Sequence, residues 1–468
     1  MLAKRFIIVA IVLCAHACFL RAEPLNVSQA EWERTAREIL KQLVEINTTD
    51  SNGNVTKASE VLAARLRSSG FPSADVRVEG PHPRKKNLIV RLHGTGSRKP
   101  LLLLAHLDVV DASRADWSVD PFTFLERDGY YYGRGTTDDK AMAAIWVANL
   151  LRMKKEGFIP DRDIIVALTA DEEQGEYNGV QWLLKNRREL IDAAICLNEG
   201  GGGSERDGRR ISNEVQASEK VYLSFSLEVK NKGGHSSLPT PDNAIYRLAA
   251  GLLRLSHFVF PVRLTEVTRV FFERTATTQS GAVAEDMGTI ARGVPDSGAI
   301  ARLSTVPYYN ALLRTTCVAT RLTAGHADNA LPQTARAIVN CRLLPGDSPV
   351  AVQLSLERTL ADSAIVVHPI NMAKPSPPSP LSKEILGPIE GATGALWPGV
   401  PVIPVMGTGA TDGLYLRIAG IPTYGVSGIF EDMDDIRAHG RDERIGIKEF
   451  YDGEEFLYRL VKRLAGGD

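Results

Sequence analysis

Short apolar runs alternate with helix-period stretches through most of the chain. Residues 101–104 are four leucines, residues 164–168 read Ile-Ile-Val-Ala-Leu, and residues 193–197 read Ala-Ala-Ile-Cys-Leu. Runs this short and this apolar predict strands buried on both faces. Residues 87–93 predict another strand, expected beside 101–104 across a glycine-containing turn. Residues 130–132 predict a short one running into Gly133-Arg-Gly135. Helical patterns occupy residues 27–66, with Gly70 as a stop signal, then 141–153 and 180–190. The same texture returns late in the chain with strands at 402–406 and 423–426, a helix from Leu414 and a last helix at 447–464. Strand and helix alternating in this way predict an α/β fold, a mostly parallel sheet sandwiched by helices.

The intervening stretch is patterned differently. Val221, Leu223, Phe225, Leu227 and Val229 alternate with Tyr222 and polar residues, which is the period of a half-buried strand in an open sheet. A helix at 243–255, a second alternating strand at 334–343, a helix at 350–360 and a strand at 364–367 follow. Residues 217–372 are therefore expected to form an α+β domain inserted into a catalytic domain made of 23–216 and 373–468. Residues 372–380, rich in proline and serine, read as the linker out. Residues 265–313 give no clear period, and substrate selectivity is expected there and on the insert.

Composition adds exclusions. A chain with 44% hydrophobic and 24% charged residues and a net charge of −1 is neither a basic nucleic-acid binder nor an acidic disordered segment. Lys4 and Arg5 precede an apolar run at 6–20 that is short for a membrane span and suits a signal peptide over residues 1–22. Cleavage after Ala22 leaves an exported protein, periplasmic or secreted, with no membrane span. Cleavage after Ala17 would instead expose Cys18 for lipoprotein anchoring. Of five cysteines, Cys196, Cys317 and Cys341 lie beyond this segment, too few for a disulfide scaffold and without metal-finger spacing. One bridge, Cys317 to Cys341, is open to an exported chain.

Ionisable residues collect where strands are predicted to end. They are His106 and Asp108, Asp138 and Asp139, Glu172 and Glu173, and Glu199, with His439 in the acidic loop 431–443. In open α/β sheets, ligands bind at the carboxyl ends of the strands. Singly, each acid reads as a helix cap or a solvated loop charge. Gathered on one edge, they would repel one another unless cations sat among them. Histidine and carboxylate ligands without a cysteine cluster suit zinc, with manganese or cobalt as competitors. The surplus of carboxylates points to a two-metal site in which one aspartate bridges.

The motifs Ala105-His-Leu-Asp108, Gly133-Arg-Gly-Thr-Thr-Asp-Asp-Lys140, Asp171-Glu-Glu173, Asn198-Glu-Gly200, Gly233-Gly-His-Ser-Ser237 and His439-Gly-Arg-Asp-Glu443 carry a resemblance. In order and over nearly the whole chain, they look like those of the dinuclear zinc metallopeptidase family that includes aminoacylase, carboxypeptidase G, carnosinase and succinyl-diaminopimelate desuccinylase. The resemblance implies a zinc exopeptidase-like catalytic domain with a ferredoxin-like lid that also makes a homodimer. It implies two zinc ions, one held by His106 and Glu199, the other by Glu173 and His439, with Asp138 bridging and a cis peptide after it. Asp108 would orient the His106 imidazole, and Glu172 would be the general base. His235 would reach a partner subunit's site and stabilise the tetrahedral intermediate. Asn329 and Arg342 would bind a substrate carboxylate, with Gly409 and Thr411 of the loop 407–413 lining the pocket. Lys140 is expected to be a local ion-pair partner. Asn198 and Ala105 depart from the aspartate and glycine that many relatives carry there.

The expected activity is hydrolysis of an amide or peptide bond in a small substrate with a free carboxylate: a dipeptide, a C-terminal residue or an N-acyl amino acid. A cocatalytic zinc aminopeptidase is the alternative. A metal-dependent binding protein without catalysis is disfavoured by the complete ligand set.

Overall fold

The computed structural model describes residues 28–294 and 296–467, so the expected signal peptide and Cys18 lie outside the described residues. Among those described, no helix is long and apolar enough to cross a membrane. The frame is a ten-stranded mixed sheet. Its order is Val76–His82, Lys85–Leu92, Ile164–Thr169, Leu101–His106, Ile195–Asn198, Thr423–Gly425, Arg209–Glu219, Gly203–Arg206 and Phe430–Asp432, with Val402–Gly407 paired parallel to Arg209–Glu219. The run from Ile164–Thr169 to Thr423–Gly425 is parallel throughout. Every residue of Leu101–His106 and Ile164–Thr169 is buried, as an unbroken apolar run in a helix-covered sheet requires.

Two local expectations are corrected. Residues 87–93 do not pair with 101–104, because Ile164–Thr169 lies between them, antiparallel to the first and parallel to the second. Apolar periodicity identifies a buried strand but carries no information about its neighbour. The helical pattern over 27–66 is two helices, Gln29–Val44 and Val55–Ser68, the second capped by the Asn54 side chain on Lys57 N.

The helix Lys140–Lys155 is buried nearly all round, the signature of a helix enclosed in a core rather than lying on it. Trp146 Nε1 donates to Leu104 O at 3.0 Å, pinning the helix to the strand that ends in His106. Lys140 Nζ donates to Leu43 O and Ile46 O at 2.9 and 3.0 Å, so it serves main-chain carbonyls and, among the described residues, makes no local ion pair.

A second sheet is antiparallel, in the order Thr316–Ala324, Thr334–Leu343, Val221–Lys230, Val366–Pro369. The helices Ala244–His257 and Pro349–Leu360 cover one face around Leu223, Phe225, Leu248, Val339 and Leu356. Cys317 and Cys341 face each other across two of its strands and are joined by a disulfide. Residues between these strands behave otherwise. Glu266–Thr275, Gly281–Ala291, Ser297–Ser304 and Pro307–Leu313 are helices whose Val267, Phe271, Phe272, Met287 and Leu303 bury in the large core. The stretch expected as one insert thus divides its packing between two cores. Helices of 7–11 residues give too few turns for a 3.6-residue period to stand out.

The last helix, Ile447–Leu464, carries Glu454 on its buried face, with 0% exposure and neither carboxyl oxygen hydrogen-bonded. Burial pushes this carboxyl up to about 8. Below pH 4.5 it is protonated in both folded and unfolded chains; as the pH rises to 8 the unfolded chain ionises first and stability falls. Glu454→Gln should therefore gain on the wild type by a margin that widens to about 2–5 kcal/mol at the upper end. Urea midpoints of the two proteins at about pH 5 and about pH 8 test this, and a gap independent of pH would refute it.

Candidate metal centre and active site

Parallel order brings three strand ends to one edge. His106 lies beside Thr169 in register, and Leu103 lies beside Leu197 on the other flank. Beyond those ends the chain turns into Asp108, into Asp171-Glu172-Glu173 and into Glu199. Asp138 and Asp139 stand immediately before the helix Lys140–Lys155, and the peptide between them is cis. His439 arrives on the loop after Phe430–Asp432. Asp171 and His439 both adopt the left-handed region, at φ 57° and 62°, a conformation costing non-glycine residues about 1 kcal/mol or more. At Asp171 it is held in place: its carboxylate accepts from Lys85 Nζ at 2.5 Å and from Tyr177 N at 3.1 Å.

The side chains converge on Asp138. One of its oxygens is 2.9 Å from His106 Nε2 and the other 3.0 Å from His439 Nε2. Glu199 approaches His106 Nε2 at 3.8 Å, and Glu173 approaches His439 Nε2 at 2.9 Å. His106 Nδ1 lies 2.9 Å from the Asp108 carbonyl oxygen. A carbonyl can only accept, so Nδ1 carries the proton and the Nε2 lone pair faces a carboxylate. Two acceptors confront each other there unless a proton or a cation lies between them. His439 Nε2 likewise faces two carboxylates, which one N–H cannot satisfy well. Asp139 Oδ2 is buried without a hydrogen-bond partner.

Titration behaviour points the same way. Burial, and then mutual repulsion, raises Asp139, Glu172 and Glu199 well above the ordinary carboxyl range and Glu173 to about 7. Asp138 is also buried, yet the two imidazoles hold it far below that range. Bonding to Asp138 raises His439 to about 9. Against the opposing effect of burial, Asp138, Glu199 and Asp108 raise His106 well above its usual value. A donor set of imidazoles and surplus carboxylates in this state fits a pair of divalent cations. Two overlapping ligand groups have all their donor atoms within 4.8 Å of one another: His106, Asp138 and Glu173, and His106, Asp139 and Glu199. Asp139, one of the acids that collect after the strands, joins the second of these groups, although the family resemblance gives it no ligand role.

Supporting contacts differ from expectation at Asp108. Its carboxylate accepts from Glu172 N at 3.2 Å and Glu173 N at 3.0 Å, while standing 3.7 Å from His106 Nδ1. The side chain holds the turn that carries the two glutamates, and the main-chain oxygen of the same residue holds the imidazole. Glu443, the last residue of the motif that begins at His439, is fully buried. It accepts from Arg134 at 2.6 Å, Gly135 N at 3.0 Å, Thr137 N and Oγ1 at 2.8 and 2.9 Å, and Asp138 N at 3.2 Å. It therefore fixes the segment leading to Asp138 against the loop of His439.

Other expected site residues stand apart. His235 is exposed on a two-strand ribbon, Gly234–His235 with Ala330–Leu331, next to Asn329. Arg342 lies over the Tyr222 ring at 4.8 Å. Among the described residues, no hydrogen bond or ion pair links His235, Asn329 or Arg342 to the metal cluster. Thr411 spends its N–H and hydroxyl on Glu219, both at 3.0 Å, and Glu219 pairs with buried Arg417 at 2.6 Å. Gly409 faces open space, since a Cβ there would meet nothing within 4 Å.

The sequence pattern of Peptidase family M20/M25/M40 matches residues 102–463. The N-fatty-acyl-amino acid synthase/hydrolase PM20D1 of Homo sapiens is 28% identical over 470 residues, covering 94% of this chain and 90% of that protein. The M20 family metallo-carboxypeptidase Sso-CP2 from Sulfolobus solfataricus superposes with a TM-score of 0.68 at 19% identity, over 92% of this chain and 99% of that one. Bacillus subtilis YXEP, described as a dinuclear metal binding peptidase from the M20 family, superposes with a TM-score of 0.60 at 11% identity, over 94% and 100%.

Proposed function

Since the chain belongs to peptidase family M20/M25/M40 and is a metal-dependent amide hydrolase, we propose that it cleaves small substrates bearing a free carboxylate beside the scissile amide, with Glu172 as general base. The observation that carries this reading is the pair of imidazoles facing the two oxygens of Asp138. His106, Asp138, Glu173, Glu199 and His439 would hold two zinc ions, with cobalt or manganese as substitutes, and Asp139 stands ready as a further ligand. Such ions supply Lewis-acid polarisation of the carbonyl and a water acidic enough to react near neutral pH.

Glu172 suits the base because its carboxyl makes no hydrogen bond among the described residues, while Asp108 anchors its main chain. It would take the proton of the attacking water and hand it to the leaving nitrogen. Dipeptides, C-terminal residues and N-acyl amino acids all satisfy this chemistry. The names of the human and Sulfolobus relatives, an N-fatty-acyl-amino acid synthase/hydrolase and a metallo-carboxypeptidase, agree with a substrate of that kind. Arg342 and Asn329 would bind the carboxylate, and Gly409 would line its approach through exposed backbone. His235 would stabilise the tetrahedral intermediate in a second copy of the chain. The exposed edge strand Thr316–Ala324, with Val318 and Leu322 outward, gives that copy a surface to join.

Glu172→Gln should lower turnover by about 10²–10⁴-fold while the protein retains about two metal ions. Full activity in this variant, or in a preparation holding one ion, would sink the scheme. Arg342→Ala should raise KM about tenfold or more with kcat little changed; an aminopeptidase, reading an amine, would be indifferent. Mixing inactive His235→Ala and Glu172→Gln chains should restore about a quarter of wild-type activity through hybrid dimers. No recovery, with exchange of subunits verified, would place His235 outside the partner's site.

A further inference from the structure

Beside Asp138 and Glu199 lies a cavity of about 320 Å³. Met142, Ile429, Met433 and Ile436 give it an apolar lining, and Glu214 and Glu431 add two carboxylates. Among its described lining residues there is no lysine, arginine or histidine. The candidate ligand groups of the metal centre account for Asp138, Asp139 and Glu199 but include neither Glu214 nor Glu431.

Neither acid is ion-paired among the described residues, although Glu431 also borders a second cavity that Arg437 and Arg444 line. Glu214 accepts only from hydroxyls, Ser204 at 3.2 Å and Ser212 at 3.4 Å. Glu431 is half-buried and has no side-chain hydrogen bond or ion pair among the described residues. Burial, with the negative charges of Glu443 and Asp138 behind it, pushes its carboxyl up to about 7. A carboxylate kept in such a place, opening on a cavity, wants a positive partner.

We propose that this cavity receives a cationic group on a short alkyl stem, an ammonium or guanidinium, carried on one side of the scissile amide. The inference rests on the hydrolase reading and names the substrate class of that site. The stem lies along the methionine and isoleucine side chains while its charged end meets Glu214 and Glu431, the division of labour that long basic side chains themselves use. A plain acyl chain would cover both carboxylates without pairing them, and an anionic group would be repelled. On this ground the chain differs from a relative named for fatty-acyl substrates.

Two measurements separate the cavity from the reaction. In ligand-observed NMR on the metal-loaded chain, n-hexylammonium should bind at least about tenfold more tightly than n-hexanol. That preference should fall by at least about fivefold in Glu431→Gln. Ile436→Lys, at a rim position 67% exposed and so tolerant of change, should abolish it if Glu431→Gln does not fold. Equal binding of the two probes, or a preference untouched by both variants, overturns the proposal. The second measurement compares kcat/KM for N-(6-aminohexanoyl)-alanine against N-hexanoyl-alanine, and for N-acetyl-lysine against N-acetyl-norleucine. The charged member of one pair should lead by about tenfold or more, and the neutral member leading in both pairs overturns the proposal. Glu431-dependent binding without hydrolysis of any of the four would instead count against the proposed carboxylate-bearing substrate class and leave the cavity's preference standing.

Discussion

The structure depends on one electrostatic constraint: several carboxylates meet at one sheet edge where water is scarce. Parallel pairing makes the meeting unavoidable, because Ile164–Thr169, Leu101–His106 and Ile195–Asn198 all end on the same side. Two like charges 4 Å apart repel by about 4 kcal/mol at an effective dielectric of about 20. No packing of neutral side chains offsets that several times over. Divalent cations would, and the two imidazoles that face the oxygens of Asp138 suit such a centre. Glu172 differs from its neighbours there, since its carboxyl makes no hydrogen bond among the described residues while its main chain is held by Asp108.

Protein cations steady the loops around this centre without entering it. Lys85 pairs with Asp171 at 2.5 Å, Arg134 with Glu443 at 2.6 Å, and Arg417 with Glu219 at 2.6 Å, each in a site almost closed to solvent. Buried pairs of this kind contribute little net stability, but losing one partner costs about 3–5 kcal/mol. Their value is positional. The first holds the left-handed turn before Glu172, and the second joins the approach to Asp138 with the loop of His439. The third sits where the long strand Arg209–Glu219 passes into the second sheet, and it fixes Thr411 and its loop at that joint. The segments they connect are far apart in the chain, so the centre is shaped by contacts that no local sequence window contains.

That distance explains what the sequence made legible. Residues 101–104, 164–168 and 221–229 declare their elements because uniform or alternating burial leaves a period in the residues themselves. The clustering of acids and histidines after those strands marks the region of the centre, while the residue-by-residue ligand assignment comes from the family resemblance. The strand Arg209–Glu219 does not, for it buries Asn213, Gln216 and Glu219, and partners such as Thr393 and Arg417 satisfy them from elsewhere. A polar run reads as a loop until those partners are known. Asp108 is a subtler case: the resemblance implies that it orients the His106 imidazole, and its main-chain oxygen rather than its side chain makes that contact. Neighbour order in the sheet was illegible for the same reason, as the swap of 87–93 for Ile164–Thr169 beside 101–106 illustrates.

Three electrostatic situations stand out among the buried acids, beside those such as Asp108 and Asp412 that neutral N–H and O–H donors satisfy. Asp171, Glu219 and Glu443 carry a protein cation, so their charge is already answered and their work is structural. Glu454 makes no ion pair or hydrogen bond among the described residues and is 0% exposed, so burial favours its protonated form. Asp138, Asp139 and Glu199 open on the metal centre, and Glu214 and Glu431 open on the cavity beside it. An acid with an opening can be neutralised from outside, and a group that arrives to do so is bound by the act. The candidate metal ligands and the two cavity glutamates therefore pose one electrostatic problem, and a cation supplied from outside the chain would answer it in both places.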